Sequence, residues 1–270
     1  MSYRSIILGT ICAAALSAAP LSGALAGDFS SFHGTLGGEY SHTDASNGGG
    51  SWNNYGIDGS GAIGLGWADM NAELDASYHH TSFDGLPDLN TYRIGGTLFY
   101  APSGGAIDGR VGATFNYSHL DIASGSGHIN NYGGFAQWYL NHTFTFSGKG
   151  GGFDATGNID GYYLGAQLKA YICPDLALSG SIDHAKINTY SFANETDYTV
   201  EGEWMFTDRL PLSVYAGYAA SDLSGTSTNL DTYFIGLRLY TDGNGATSLR
   251  DRQRTGNIGW AASFSPKILF

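Results

Sequence analysis

The stretch MNAELDASYHH, residues 70–80, decides the fold. Met70, Ala72, Leu74, Ala76 and Tyr78 alternate with Asn71, Glu73, Asp75, Ser77 and His79, and a period of two places the two sets on opposite faces of a strand. The 3.6-residue period of an amphipathic helix does not fit. The same alternation recurs in TYRIGGTLFY (91–100), RVGATFNYS (110–118), DYTVEGEWMF (197–206) and TYFIGLRLY (232–240). Any one of these runs is a weak signal; their repetition is a strong one.

Working outward, the pattern predicts strands near 31–41, 55–65, 70–80, 91–101, 110–118 and 130–140, then near 143–147, 159–172, 176–187, 197–206, 212–220 and 231–240. The segment 143–147 is the shortest. The connectors read as long glycine-, serine- and aspartate-rich loops (SHTDASNGGGSWNN, DIASGSGHIN, SGKGGGFDATGN, ASDLSGTSTNL) alternating with short turns at 66–69, 141–142, 173–175 and 207–211. Alternation of polarity alone fits both a soluble sandwich and a membrane barrel. Long and short connectors in alternation favour a barrel whose rims face different compartments. The expected fold is therefore all-β, a closed antiparallel transmembrane barrel of about 12 strands, with 14 as the alternative count.

The first residues, MSYRSIILGTICAAALSAAPLSGALA, read as a Sec-type leader cleaved between Ala26 and Gly27. Removing Arg4 with the leader leaves 11 Lys plus Arg against 24 Asp plus Glu, a net charge of −13. Such a chain repels phosphate backbones, so nucleic acid is excluded as a partner. Cys12 departs with the leader and Cys173 remains, read as a small packing residue at a turn; one cysteine closes no intramolecular disulfide. No later segment is apolar for long enough to form a membrane helix. The 41 Gly, 18 Tyr and 14 Phe in 270 residues suit strands, turns and membrane interfaces.

With leader, alternating strands and connectors together, the chain resembles the porin-like outer-membrane β-barrel proteins of Gram-negative bacteria. The ending SFSPKILF (263–270), with Phe264, Ile268 and Phe270 in one period-two register, is similar to that family's C-terminal assembly signal. The resemblance implies residence in the cell outer membrane, outer-membrane lipid and the barrel assembly machinery as partners, and passive passage of small solutes. The expected organisation is a signal peptide over 1–26, a barrel over 27–241, and a periplasmic tail or an extra terminal strand over 242–270. Pro266 would interrupt such a strand, and the tail, with its basic cluster Arg250, Arg252 and Arg254, is the favoured form.

If the polar faces point inward, the lumen carries Glu39, Asp58, Glu73, Asp75, Asp183, Glu201 and Glu203 against Arg93, Arg110, Lys169 and Arg238. An excess of acids in a water-filled channel favours cations; pairing across neighbouring strands would instead fill a narrow interior. The function expected is a porin-like channel with a mildly cation-favouring lumen. The alternative is a structural or adhesive barrel without transport, and behind it a rim hydrolase using His79, His80, Ser82 and Asp84. That last reading lacks a G-x-S-x-G motif, and His79 and His80, as strand neighbours, point to opposite faces. No enzyme activity is expected. Tyr40, Tyr55, Tyr92, Tyr100, Tyr117, Trp138, Tyr198, Trp204 and Tyr233 fall near strand ends and read as interface anchors; carbohydrate stacking on Trp52 and Tyr55 is the sharper alternative. The His spacing matches no zinc site, the acidic loops match no calcium cage, and the Gly-rich stretches lack the helix of a phosphate loop, so no metal or cofactor is expected.

Overall fold

Glu73 is 2% exposed and its neighbour Leu74 is 71% exposed, which is the inverse of a soluble protein: the charged face is inside and the apolar face outside. The computed structural model describes residues 32–46, 49–85, 87–102, 108–123, 125–188, 194–206, 211–224, 228–242, 248–256 and 258–259. The expected leader with its Ala26–Gly27 junction and the SFSPKILF ending lie outside the described residues.

Twelve antiparallel strands form the wall: β1 His33–Ala45, β2 Gly50–Gly64, β3 Met70–Phe83, β4 Leu89–Tyr100, β5 Gly109–Ile122, β6 Gly125–Tyr139, β7 Phe144–Ala155, β8 Ile159–Cys173, β9 Leu176–Ile187, β10 Asn194–Met205, β11 Leu212–Ser224 and β12 Asn229–Asp242. Each pairs with its sequence neighbour, and β1 closes on β12 from His33↔Asp242 to Ala45↔Leu230. Closure leaves no edge, so every strand finds partners for its backbone without water. Strands of 12 to 15 residues exceed the roughly 9–11 that a tilted strand needs to cross the bilayer core. The strands run between two rims, the terminal rim where β1 begins and β12 ends and the distal rim opposite it.

Two aromatic girdles mark the membrane boundaries. Toward the distal rim, rings pair across strands: Tyr40 with Tyr55, Tyr78 with Tyr92 and Tyr218 with Tyr233, with centroids 5.1–5.2 Å apart. Their polar tips meet a polar collar just beyond. The Tyr40 hydroxyl donates to Asn53 and that of Tyr78 to Asn90, each at 2.8 Å, and His42 and His80 sit over the same two asparagines. Toward the terminal rim, Trp138 stacks with Phe146 and Trp204 packs on Phe206. Eight of the nine expected anchors are exposed on the outer surface and Tyr92 is half-buried. Trp52 packs on Phe83 and Tyr55 on Tyr40, so both of the residues weighed for sugar stacking are engaged with neighbouring rings.

The connectors differ from expectation. Those at the distal rim shrink to 46–49, 84–88, 123–124, 156–158, 188–193 and 225–228, because each neighbouring strand continues into what reads as loop. Those at the terminal rim are no shorter, reaching 101–108. The long-and-short alternation is therefore absent, although the barrel it argued for is present. The largest correction is β7, which runs from Phe144 through GKGGG to Ala155 instead of stopping near Ser147.

Glycine is tolerated in β7 because neighbouring rings occupy the space that its missing side chains leave. On the outer face a Cβ at Gly152 would lie 2.9 Å from the Tyr132 ring. On the inner face a Cβ at Gly151 would meet the Tyr163 hydroxyl at 2.8 Å and the backbone of Gly133 at 2.6 Å. The true turn is the three-residue connector 156–158, in which Gly157 and Asn158 take positive φ (90° and 59°), the region that glycine and asparagine tolerate best. Cys173, expected to pack, is exposed at the end of β8.

Candidate functional site

Alternation along the strands turns acids and bases inward from most of the wall. Glu39, Asp58, Glu73, Asp75, Arg93, Arg110, Lys169, Glu201 and Arg238 surround a cavity of about 320 Å³ on the barrel axis. Asp183 and Glu203, also expected in the lumen, are held off the cavity by partners. Lys149 reaches Asp183 at 3.0 Å, and Glu203 accepts from Arg238 at 3.0 Å.

These pairs decide which charges the cavity feels. Arg93 neutralises Asp75 at 3.4 Å. Arg238 lies over the Tyr215 ring at 4.6 Å, and the Tyr215 hydroxyl donates to Glu39 at 3.2 Å. The carboxylates of Asp58 and Glu201 face the cavity without a hydrogen bond or salt bridge among the described residues, alongside the basic side chains of Arg110, Lys169 and Arg252. The lumen is thus laced across its width, with acids and bases both facing the cavity.

Lys149, Tyr215 and His79 were absent from the expected lumen set. Lys149 was hidden in a segment read as loop. Tyr215 was hidden because an aromatic in an alternating run reads as lipid-facing, and His79 because it was weighed only as a catalytic residue. His79 lines the cavity, whereas His80 points outward and lies 3.7 Å from Asp88. Asp84 lies near Ser51 at 3.5 Å, so the residues of the hydrolase reading diverge. Among the described residues no group of three or more His, Cys, Asp or Glu is placed to hold a metal ion.

The cavity has a floor. Residues Leu249–Thr255 form a short helix, α1, whose N-cap Ser248 accepts from the Asp251 N–H. Leu249 is buried among Tyr171, Ala177, Met205 and Tyr240, and Ile258 packs on Phe99 and Phe135. Gln253 donates to Glu203 at 2.7 Å and accepts from Lys169 at 3.0 Å. Arg110 donates to the carbonyls of Gly256 (2.6 Å) and Gln253 (2.9 Å). In a ring of twelve, β4 with Phe99 and β10 with Glu203 stand opposite one another, so the segment crosses the lumen. Arg254 donates to the carbonyls of Asn141 and Phe144 at the terminal rim. This part of 242–270, expected to hang in the periplasm or to add a strand, is a helix inside the mouth. The sequence signal for it is Ser248 three residues before Asp251, a helix start, followed by the basic cluster.

No protein-family model and no curated protein matches the sequence. Solved structures do. An outer-membrane channel from Pseudomonas putida F1 shares 12% identity over 78% of this chain and 95% of its own, with a TM-score of 0.53. The β domain of the Bordetella autotransporter Brka shares 12% over 77% and 99%, with a TM-score of 0.51. The KdgM porin shares 10% over 75% and 98%, with a TM-score of 0.49. The likeness to the first two is one of fold, the closed antiparallel β-barrel that these outer-membrane proteins share with this chain.

Proposed function

We propose that the chain is an outer-membrane channel through which small polar solutes pass passively, with cations favoured over anions. The observation that carries this reading is the polar cavity on the barrel axis, onto which the carboxylates of Asp58 and Glu201 face without a salt bridge among the described residues. A barrel serving only as a scaffold has no need of polar free space at its centre, because side chains fill the interior of a small barrel. The terminal rim is assigned to the periplasm, from which an exported chain enters the membrane.

A second reading, a structural or adhesive barrel with a closed interior, draws on the helix across the mouth. Planar-bilayer recording separates the two, using the refolded chain from Gly27 to Phe270 with its folding verified by heat-modifiable gel mobility. The channel predicts discrete conductance steps and, under a salt gradient, a reversal potential on the cation side. Silence from both the full chain and a folded variant with α1 released would establish the structural reading.

A further inference from the structure

We infer that residues 248–256 and 258–259 form a releasable gate for the terminal mouth, whose own positive charge makes its docking responsive to voltage. The inference rests on the channel reading and adds how that channel is closed.

Three features make the segment detachable. It contributes nothing to the wall, since β1 and β12 close the barrel without it. A seven-residue helix is too short to persist alone, so docking is what keeps it folded. Its anchorage is mostly polar. Arg110, Glu73 and Lys169 bind it from the wall, and its own Arg254 grips rim carbonyls. Water can satisfy each of these groups when the segment leaves. Leu249 and Ile258 are its apolar anchors, and they sit at its two ends.

Charge gives the direction. The helix carries Arg250, Arg252 and Arg254 against Asp251, a net positive charge at the mouth of the lumen. A net positive plug in one mouth responds to voltage. Potential positive on the terminal-rim side presses it inward, and the opposite polarity draws it out. The cavity it closes already holds free space, so release joins that space to the solvent at the terminal rim.

The test pairs a docking readout with a conductance readout. In a Cys173→Ser background, Ile258→Cys reports docking through its labelling by a small charged methanethiosulfonate reagent. Arg110→Ala with Leu249→Asp removes one polar and one apolar anchor. Arg250→Ala with Arg254→Ala loosens the grip on the rim carbonyls and leaves Arg110, Glu73 and Leu249 in place should the first pair impair folding. The expected result is labelling at least tenfold faster in either loosened variant, together with a higher open probability and loss of the asymmetry between the two voltage polarities. Unchanged labelling overturns the inference. Faster labelling with conductance equal to that of a conducting parent also overturns it while leaving the channel standing. Faster labelling with silence from every variant removes the channel reading and the gate with it.

Discussion

The carboxylate of Glu73 on β3 accepts the backbone N–H of Ile258 at 2.9 Å, joining residues 185 positions apart. A charge that alternation assigns to the lumen thus binds a part of the same chain instead of solvent or solute. The contact holds because Gln137 donates to the Ile258 carbonyl from the neighbouring wall and Arg110 to that of Gly256. The peptide groups of this irregular stretch are satisfied inside the barrel as buried backbone requires.

Glu203 is the buried acceptor with most at stake. It takes hydrogen bonds from Ser213 (2.6 Å), Tyr240 (2.7 Å), Gln253 (2.7 Å) and Arg238 (3.0 Å). Glu203→Ala strands the Arg238 charge and is expected to destabilise the barrel by about 3–5 kcal/mol, the usual cost of removing one partner of a buried pair. Glu203→Met with Arg238→Met removes both charges and should recover most of that loss. Urea unfolding in micelles, followed by tryptophan fluorescence, measures both, and a double variant no better than the single one would refute the pairing account.

The outer face makes an opposite demand. Leu74 lies between the two girdles with its side chain in lipid, so Leu74→Arg should cost about 2–4 kcal/mol, as a basic residue does at the bilayer midplane. Trp67→Arg, in the connector below the girdle, should cost about 0–1 kcal/mol because its charge reaches the headgroups. Refolding yields into vesicles, titrated with denaturant, would show the contrast.

How much of this was legible follows from what each signal depends on. Strand identity and facing depend on local alternation, so Glu73, Arg93, Arg110, Glu201 and Arg238 were placed inward from sequence. Strand ends depend on what lies beside them. GKGGG carries no alternation of its own and becomes a strand because Tyr132 and Tyr163, from other strands, cover it. The pairings Lys149–Asp183 and Arg238–Glu203 depend on register, and the crossing of α1 on contacts between residues over a hundred positions apart. No period in the sequence carries that information.

The same covering predicts opposite effects from one substitution within β7. A Cβ at Gly151 meets the backbone of Gly133 at 2.6 Å, which no rotamer change relieves, whereas a Cβ at Gly148 finds its nearest neighbour at 3.9 Å. Gly151→Ala should destabilise by about 1–3 kcal/mol through overpacking. Gly148→Ala should be neutral or stabilise by up to about 1 kcal/mol, by reducing the freedom of the unfolded chain. Heat-modifiability midpoints on gels give the comparison, and equal effects at both sites would show that the close approach of β6 and β7 is misassigned.

Ion preference is where the lumen pairings have a direct consequence. Asp75 is offset by Arg93 and Glu203 by Arg238, so Asp58 and Glu201, which no salt bridge holds among the described residues, are the cavity carboxylates whose removal changes its field most directly. Removing one such charge changes the local ion energy by on the order of 1 kcal/mol, about fivefold in the ratio of cations to anions. Glu201→Gln or Asp58→Asn should therefore move the reversal potential toward zero, read in the released-gate background where the pore stays open. Arg93→Gln frees the Asp75 carboxylate and should move it the other way. A shift of opposite sign from a neighbouring site separates electrostatics from general damage to the pore, because damage moves both variants alike; shifts of the same sign from Glu201→Gln and Arg93→Gln would place the selectivity outside this ring of charges.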